Sequence, residues 1–170
     1  MKLLFLITVM LSAGLSGFYD ISFETLEGAT VQTSAYKGKK IVIAVISASQ
    51  ESLPLIHYLD SLQRTTDSIK VIAVPTGDFG GNVNLADLSN LKANLGIVIT
   101  KPLSVKIEST GQHPLFAWLT DMQQNKHFNM DVAGEGQVFI ISAQGTLYSV
   151  LPKSTPTRII TRIVSQSFTK

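Results

Sequence analysis

Val71 to Gly81, VIAVPTGDFGG, reads as a buried strand that runs into a glycine-rich loop. Val71, Ile72, Ala73 and Val74 form a short continuous apolar run, the pattern of a strand covered on both faces. Pro75 has no N–H to give to a sheet and ends it. Gly77, Gly80 and Gly81, around Asp78 and Phe79, then keep the chain out of regular structure. Working outward, Lys40–Ile46 is a second apolar strand. Between the two, Ser49 or Ser52 is placed to cap a helix reaching about Arg64. Glu51 and Pro54 suit its first turn, and Leu55, Ile56, Leu59 and Leu62 form one apolar stripe. Upstream, Phe18–Phe23 and Ala29–Thr33 read as a hairpin turning at Glu27-Gly28. Downstream, Leu85, Leu88, Leu91 and Leu95 mark a helix that stops at Gly96. Val105–Ile107 reads as a short strand and Pro114–Met122 as a helix opening after His113. Val138–Ser142 and Thr146–Leu151 form a hairpin through Gln144-Gly145, and Pro156–Ser167 is a final amphipathic helix. Strands alternating with helices, closed by an antiparallel pair, predict an α/β domain with a central mixed sheet and an N-terminal hairpin.

Composition fits one domain. The chain has 170 residues, 45% hydrophobic and only 15% charged, which excludes a disordered chain. A net charge of +2 leaves no footprint for nucleic acid. Lys153, Arg158, Arg162 and Lys170 gather near the C-terminus with no acidic residue after Glu135. They read as the solvated face of the last helix, with an anion-binding face as the alternative. There is no cysteine, so the fold is held by its core alone.

The first 17 residues have the form of a secretory signal. Lys2 supplies the positive start, Leu3–Leu11 the apolar run, and Ser12, Ala13, Gly14, Ser16 and Gly17 the small residues of a cleavage region. The run is short for a bilayer span. The expectation is a leader over 1–17, a mature domain over 18–170, export to the periplasm or medium, and no stable membrane span after cleavage.

The opening stretch resembles the glutathione peroxidase family, in which a strand ends in F-P-C-N-Q-F-G-G. Pro75, Phe79, Gly80 and Gly81 match that form, and Thr76-Gly77-Asp78 stands at its Cys-Asn-Gln. The resemblance continues in order along the chain. Phe18–Lys39 is similar to the family's opening, ending in Y-K-G-K. Pro102–Leu119, with Pro102, Leu103, Lys106, Ile107, His113, Pro114 and Leu115, is similar to its P-hydrophobic-F-E-K-I…H-P-L segment. Val138–Pro156 resembles its closing strands and P-T-T-S-P. The resemblance implies a thioredoxin-like fold and, for the family, thiol-dependent hydroperoxide reduction in the response to oxidative stress.

It also implies where the chemistry should sit. Aligned without gaps from Gly38-Lys39, the peroxidatic cysteine falls on Gln50 and the glycine after it on Glu51. The family's glutamine falls on Asp78 and its Trp-Asn pair on Gly134-Glu135, or on Phe128-Asn129 if an insertion is allowed. A peroxidase needs a low-pKa thiolate at a helix N-terminus. Gln50 is an amide and does not reduce peroxide. Glu51 and Asp78 put negative charge where an anion should be welcomed. The chain therefore reads as a degenerate member without a competent catalytic residue, its vestigial site Gln50, Asp78, Gly134 and Glu135. No cofactor is implied, and the partner would be a small molecule or a protein.

Substitute chemistries find little support. Ser47, Ser49 and Ser52 beside His57 lack a nucleophile elbow, and His57, His113 and His127 lack metal-ligand spacing. Trp118 and Phe116 read as core. The other reading is a non-catalytic exported thioredoxin-fold binding module of a different branch, such as a relative of cytochrome-maturation reductases. Against it, there is no C-x-x-C, and Gly136 stands where such proteins usually carry a cis-proline.

Overall fold

The computed structural model describes residues 17–47, 50–81 and 83–166. The leader expected over 1–17 thus lies outside the described residues except for Gly17. A five-stranded mixed sheet of order β5-β4-β3-β6-β7 forms the centre. Its middle strand is β3, Lys40–Ile46, and the next is β4, Ile69–Pro75; they pair in parallel from Lys40↔Ile69 to Ile46↔Pro75. On the other side β3 pairs antiparallel with β6, Val138–Ile141, which carries β7, Leu147–Leu151. The short β5, Val98–Ile99, lies parallel to β4 at the far edge. The N-terminal hairpin, β1 (Ser22–Glu24) with β2 (Thr30–Gln32), is a separate two-stranded sheet. It is tied to the main one by a Thr25↔Thr100 bridge and by the N–H of Leu26 on the carbonyl of Ile99.

Period-two alternation sorts the buried strand residues onto two faces. Val42, Ala44 and Ile46 join Val71, Ala73, Val138 and Ile140 under α1 (Leu53–Arg64), α2 (Leu85–Lys92) and α5 (Thr157–Ser165). Ile41, Ile43 and Val45 join Ile72, Val74, Phe139 and Ile141 under α3 (Pro114–Thr120). Phe116 and Trp118 pack in this second core, as the sequence predicts, and Phe18 lies 5.1 Å from the Trp118 ring.

Several elements differ from the sequence reading. Phe18–Asp20 is a 3-10 turn rather than strand, because the Asp20 carboxylate and N–H both bond back to Gly17. The third helix ends at Thr120. Asp121 takes extended geometry, its carboxylate accepts the N–H of Gln123 at 2.8 Å, and a separate short helix, α4 (Met122–Asn125), begins there. The last helix starts at Thr157 and stops at Ser165. Ile43 is fully buried in β3. Ile43→Ala should therefore lower the unfolding free energy by about 2–5 kcal/mol, whereas Asn90→Ala, on the exposed side of α2, should stay within about 0.5 kcal/mol. Urea denaturation of the two variants checks both.

Candidate functional site

Three segments meet at the C-terminal end of β3. The first follows β3 itself. The N–H of Ser47 donates to Ser52 Oγ at 3.0 Å, and the two hydroxyl oxygens are 3.0 Å apart. Gln50–Ser52 makes a single 3-10 turn that leads into α1. Ser52 does not cap that helix: it is already in helical geometry, and its buried hydroxyl is engaged by Ser47. Ser49 lies outside the described residues. The Ser52 hydroxyl bonds to Ser47 and not to His57, which is exposed on α1.

The second segment is the turn before β6. The N–H of Gly136 donates to the carbonyl of Val45 at 2.7 Å, and the N–H of Val45 to the carbonyl of Gln137 at 2.9 Å. Gly136 has φ +85°, and a side-chain carbon there would stand 2.6 Å from Lys153 Cγ, so only glycine fits. This fixes Gly134 and Glu135 beside the start of α1. Glu51, Ser52, Leu55, Glu135, Gly136 and Lys153 line a cleft of about 210 Å³ there. A second hollow of about 400 Å³ adjoins it across Glu135 and Lys153, toward Pro152 and Ser154. Lys153 pairs with Glu51 at 3.1 Å across the mouth. Glu135 makes no hydrogen bond or ion pair with another described residue.

The third segment is the glycine loop after β4. Its Gly81 faces Glu135, whose Oε1 would lie 3.3 Å from a carbon added there. Asp78 points elsewhere. Its Oδ2 accepts the N–H groups of Val105 at 2.7 Å and Lys106 at 3.0 Å, and the Ser109 hydroxyl at 2.7 Å. Burial works to raise the Asp78 carboxyl; the Lys106 N–H, the Ser109 hydroxyl, the Val105 N–H and the Lys106 charge together outweigh it and hold its pKa below the ordinary value. This also corrects the strand expected over Val105–Ile107. The N–H groups that a ladder would need are taken, two by Asp78 and that of Ile107 by Asp131 at 3.0 Å, so the segment is a loop.

The cleft thus gathers Glu51 and Glu135 beside the 3-10 turn that begins at Gln50, while Asp78 is absent from its lining. Phe128 and Asn129, the other alignment of the Trp-Asn pair, do not line it either: Phe128 packs against the second core and Asn129 is exposed. His113 is structural, its Nδ1 accepting the N–H of Leu115 at 3.1 Å at the start of α3, and burial pushes its pKa down. Among the described residues no three His, Asp or Glu side chains are grouped to hold a metal. Arg158 and Arg162 are exposed on α5, whereas Lys153 belongs to the cleft; Lys170 lies outside the described residues. Lys153 is the cleft residue that sequence reasoning missed.

No protein-family model matches the chain. A glutathione peroxidase of Lactococcus lactis subsp. cremoris is 27% identical to it over 109 residues, covering 60% of this chain and 68% of its own. The chain is thus similar in sequence to a glutathione peroxidase. The solved structure of Trgpx in apo form superposes on this chain with a TM-score of 0.69 at 18% identity, covering 88% of this chain and 93% of its own. A thioredoxin-family thiol:disulfide interchange protein from Chlorobium tepidum gives 0.64 at 16% identity, covering 89% and 95%. The fold is thioredoxin-like, and this chain has no cysteine.

Asp78→Ala leaves three donors without their acceptor and should cost about 1–3 kcal/mol in urea denaturation. The folded pKa of Asp78 lies below its unfolded value of about 3.9. Its contribution is therefore complete above that value and lost as pH falls through the folded pKa. Asp78→Asn should flatten this part of the acid limb, read as urea midpoints between about pH 2 and 5.

Proposed function

We propose that this is an exported, non-catalytic member of the glutathione-peroxidase-like branch that works by binding rather than by turnover. The observation that carries the reading is the absence of any cysteine. Peroxide reduction by this route needs a thiolate to attack oxygen and a second thiol to regenerate it. Gln50, at the position the resemblance gives to the thiolate, has no sulfur that peroxide can oxidise to a sulfenic acid and a thiol can reduce again. Asp78, at the position of the family's glutamine, commits its carboxylate to Val105, Lys106 and Ser109.

The ligand site in this reading is the cleft over the start of α1. Glu51 is offset by Lys153, and Glu135 is left without a partner among the described residues. One negative charge therefore remains in a recess with apolar walls at Pro54 and Leu55. That favours a ligand carrying an ammonium or guanidinium group, on a small molecule or on a protein segment. Nucleic acid is disfavoured by the same charge. Export rests on residues 1–17; among the described residues no helix is long and apolar enough to cross a membrane.

The purified, metal-free chain should consume neither hydrogen peroxide nor an organic hydroperoxide in the presence of thiol above a boiled control. Thiol-dependent turnover would overturn the non-catalytic reading. Gln50→Cys should give a thiol alkylated faster than one placed at the exposed Ser61 on α1, with a pKa below the ordinary value of about 8.5, because the turn that starts at Gln50 leads directly into the N-terminus of α1. Equal alkylation rates would remove Gln50 from the thiolate position.

A further inference from the structure

We propose that the exported chain is cut between Ser16 and Gly17, and that Asp20 then holds the new amino group. The cut rests on the export reading above; the clasp stands on geometry of its own.

The downstream limit comes from the aromatic cluster. Phe18 is 2% exposed, with its ring 5.5 Å from Tyr19 and 5.1 Å from Trp118. The Tyr19 hydroxyl donates to the carbonyl of Ala143 at 2.8 Å, and its ring lies so close to Gly145 that a side-chain carbon there would stand 2.6 Å from Cε2. The Thr33 hydroxyl bonds to the carbonyls of Phe18 and Ile21. A mature chain that began beyond Phe18 would leave a hole beside Trp118 and free the β6–β7 turn.

Gly17 is the residue next outward, and both of its backbone groups are used. Its N–H donates to Asp20 Oδ2 at 2.9 Å, and its carbonyl accepts the N–H of Asp20 at 3.0 Å. A leader cleavage site wants small residues one and three positions before the cut bond. The bond between Ser16 and Gly17 has them in Ser16 and Gly14, and that between Gly14 and Leu15 has them in Gly14 and Ser12. The bond between Gly17 and Phe18 has Leu15 at the third position. Only the cut after Ser16 leaves its new amino group on the nitrogen that Asp20 already engages. Hydrolysis adds one water across the bond: the C–N bond breaks, Ser16 departs with the water oxygen in its new carboxylate, and the Gly17 nitrogen takes both water hydrogens to become an ammonium. The N–H bond to the Asp20 carboxylate then becomes an ion pair, charged on both sides.

The test is to express the chain with its leader and determine the mass and N-terminal peptide of the exported product. A product beginning at Gly17 supports the cut. One beginning at Leu15, Phe18 or elsewhere overturns the cut and leaves export standing; full-length chain retained in the cytoplasm overturns both. On the mature protein, acylation of the Gly17 amine at pH 7 should be about 1.5- to 5-fold faster in Asp20→Asn, the range expected of an exposed ion pair. The unaltered protein in 1 M NaCl should move in the same direction as screening weakens the pair. Equal rates in all three overturn the clasp.

Discussion

Val45 is the residue on which the site is hung. Its N–H and carbonyl are bonded to Gln137 and Gly136, one step before β3 ends. Because β3 runs parallel to β4 and antiparallel to β6, its C-terminal end lies beside the C-terminal end of one neighbour and the N-terminal approach to the other. Three loops are thereby delivered to one edge of the sheet: the turn into α1, the glycine loop and the turn before β6. Ile41–Ile46 are fully buried, so this meeting point is fixed by the part of the molecule with least freedom to move.

Electrostatics at that edge divides into fixed and movable parts. Asp78 is fixed: three short bonds, two of them to backbone, hold the glycine loop against residues 105–109. The Glu51–Lys153 pair is movable. Both side chains are largely exposed, at 76% and 63%, and such pairs contribute little net free energy. Lys153 can swing off the mouth of the cleft at small cost. The backbone of Glu135 is set by the Gly136 turn, and its carboxylate faces Gly81.

The sequence made the centre of the fold legible because the central strands are continuous apolar runs with no competing pattern. Lys40–Ile46 is found at the expected residues, and Val71–Val74 lies within β4. The periphery was less legible where a side chain competes for backbone N–H groups. Val105-Lys106-Ile107 alternates like a strand, yet Asp78 and Asp131 take its donors. Asp121 breaks a helix that its apolar neighbours would continue, and a capping acid followed by a polar turn was the available clue. Ser52 has the composition of a cap but is claimed by Ser47 five residues earlier. At the cleft, Glu51 and Glu135 came from the family resemblance. Lys153 did not, because nothing local links it to Glu51, 102 residues away.

The antiparallel partner of β3 has a further consequence for how the chain assembles. β3, α1 and β4 are near neighbours in sequence and can associate early, whereas Ala44 meets Val138 only after roughly ninety residues of intervening chain have been ordered. Until then, one side of the Ile41–Ala44 backbone is an open, flat, apolar edge, the kind that recruits strands from other molecules. With no disulfide to hold a partly formed sheet together, the interval before Val138–Ile141 docks is when this chain is most exposed to aggregation.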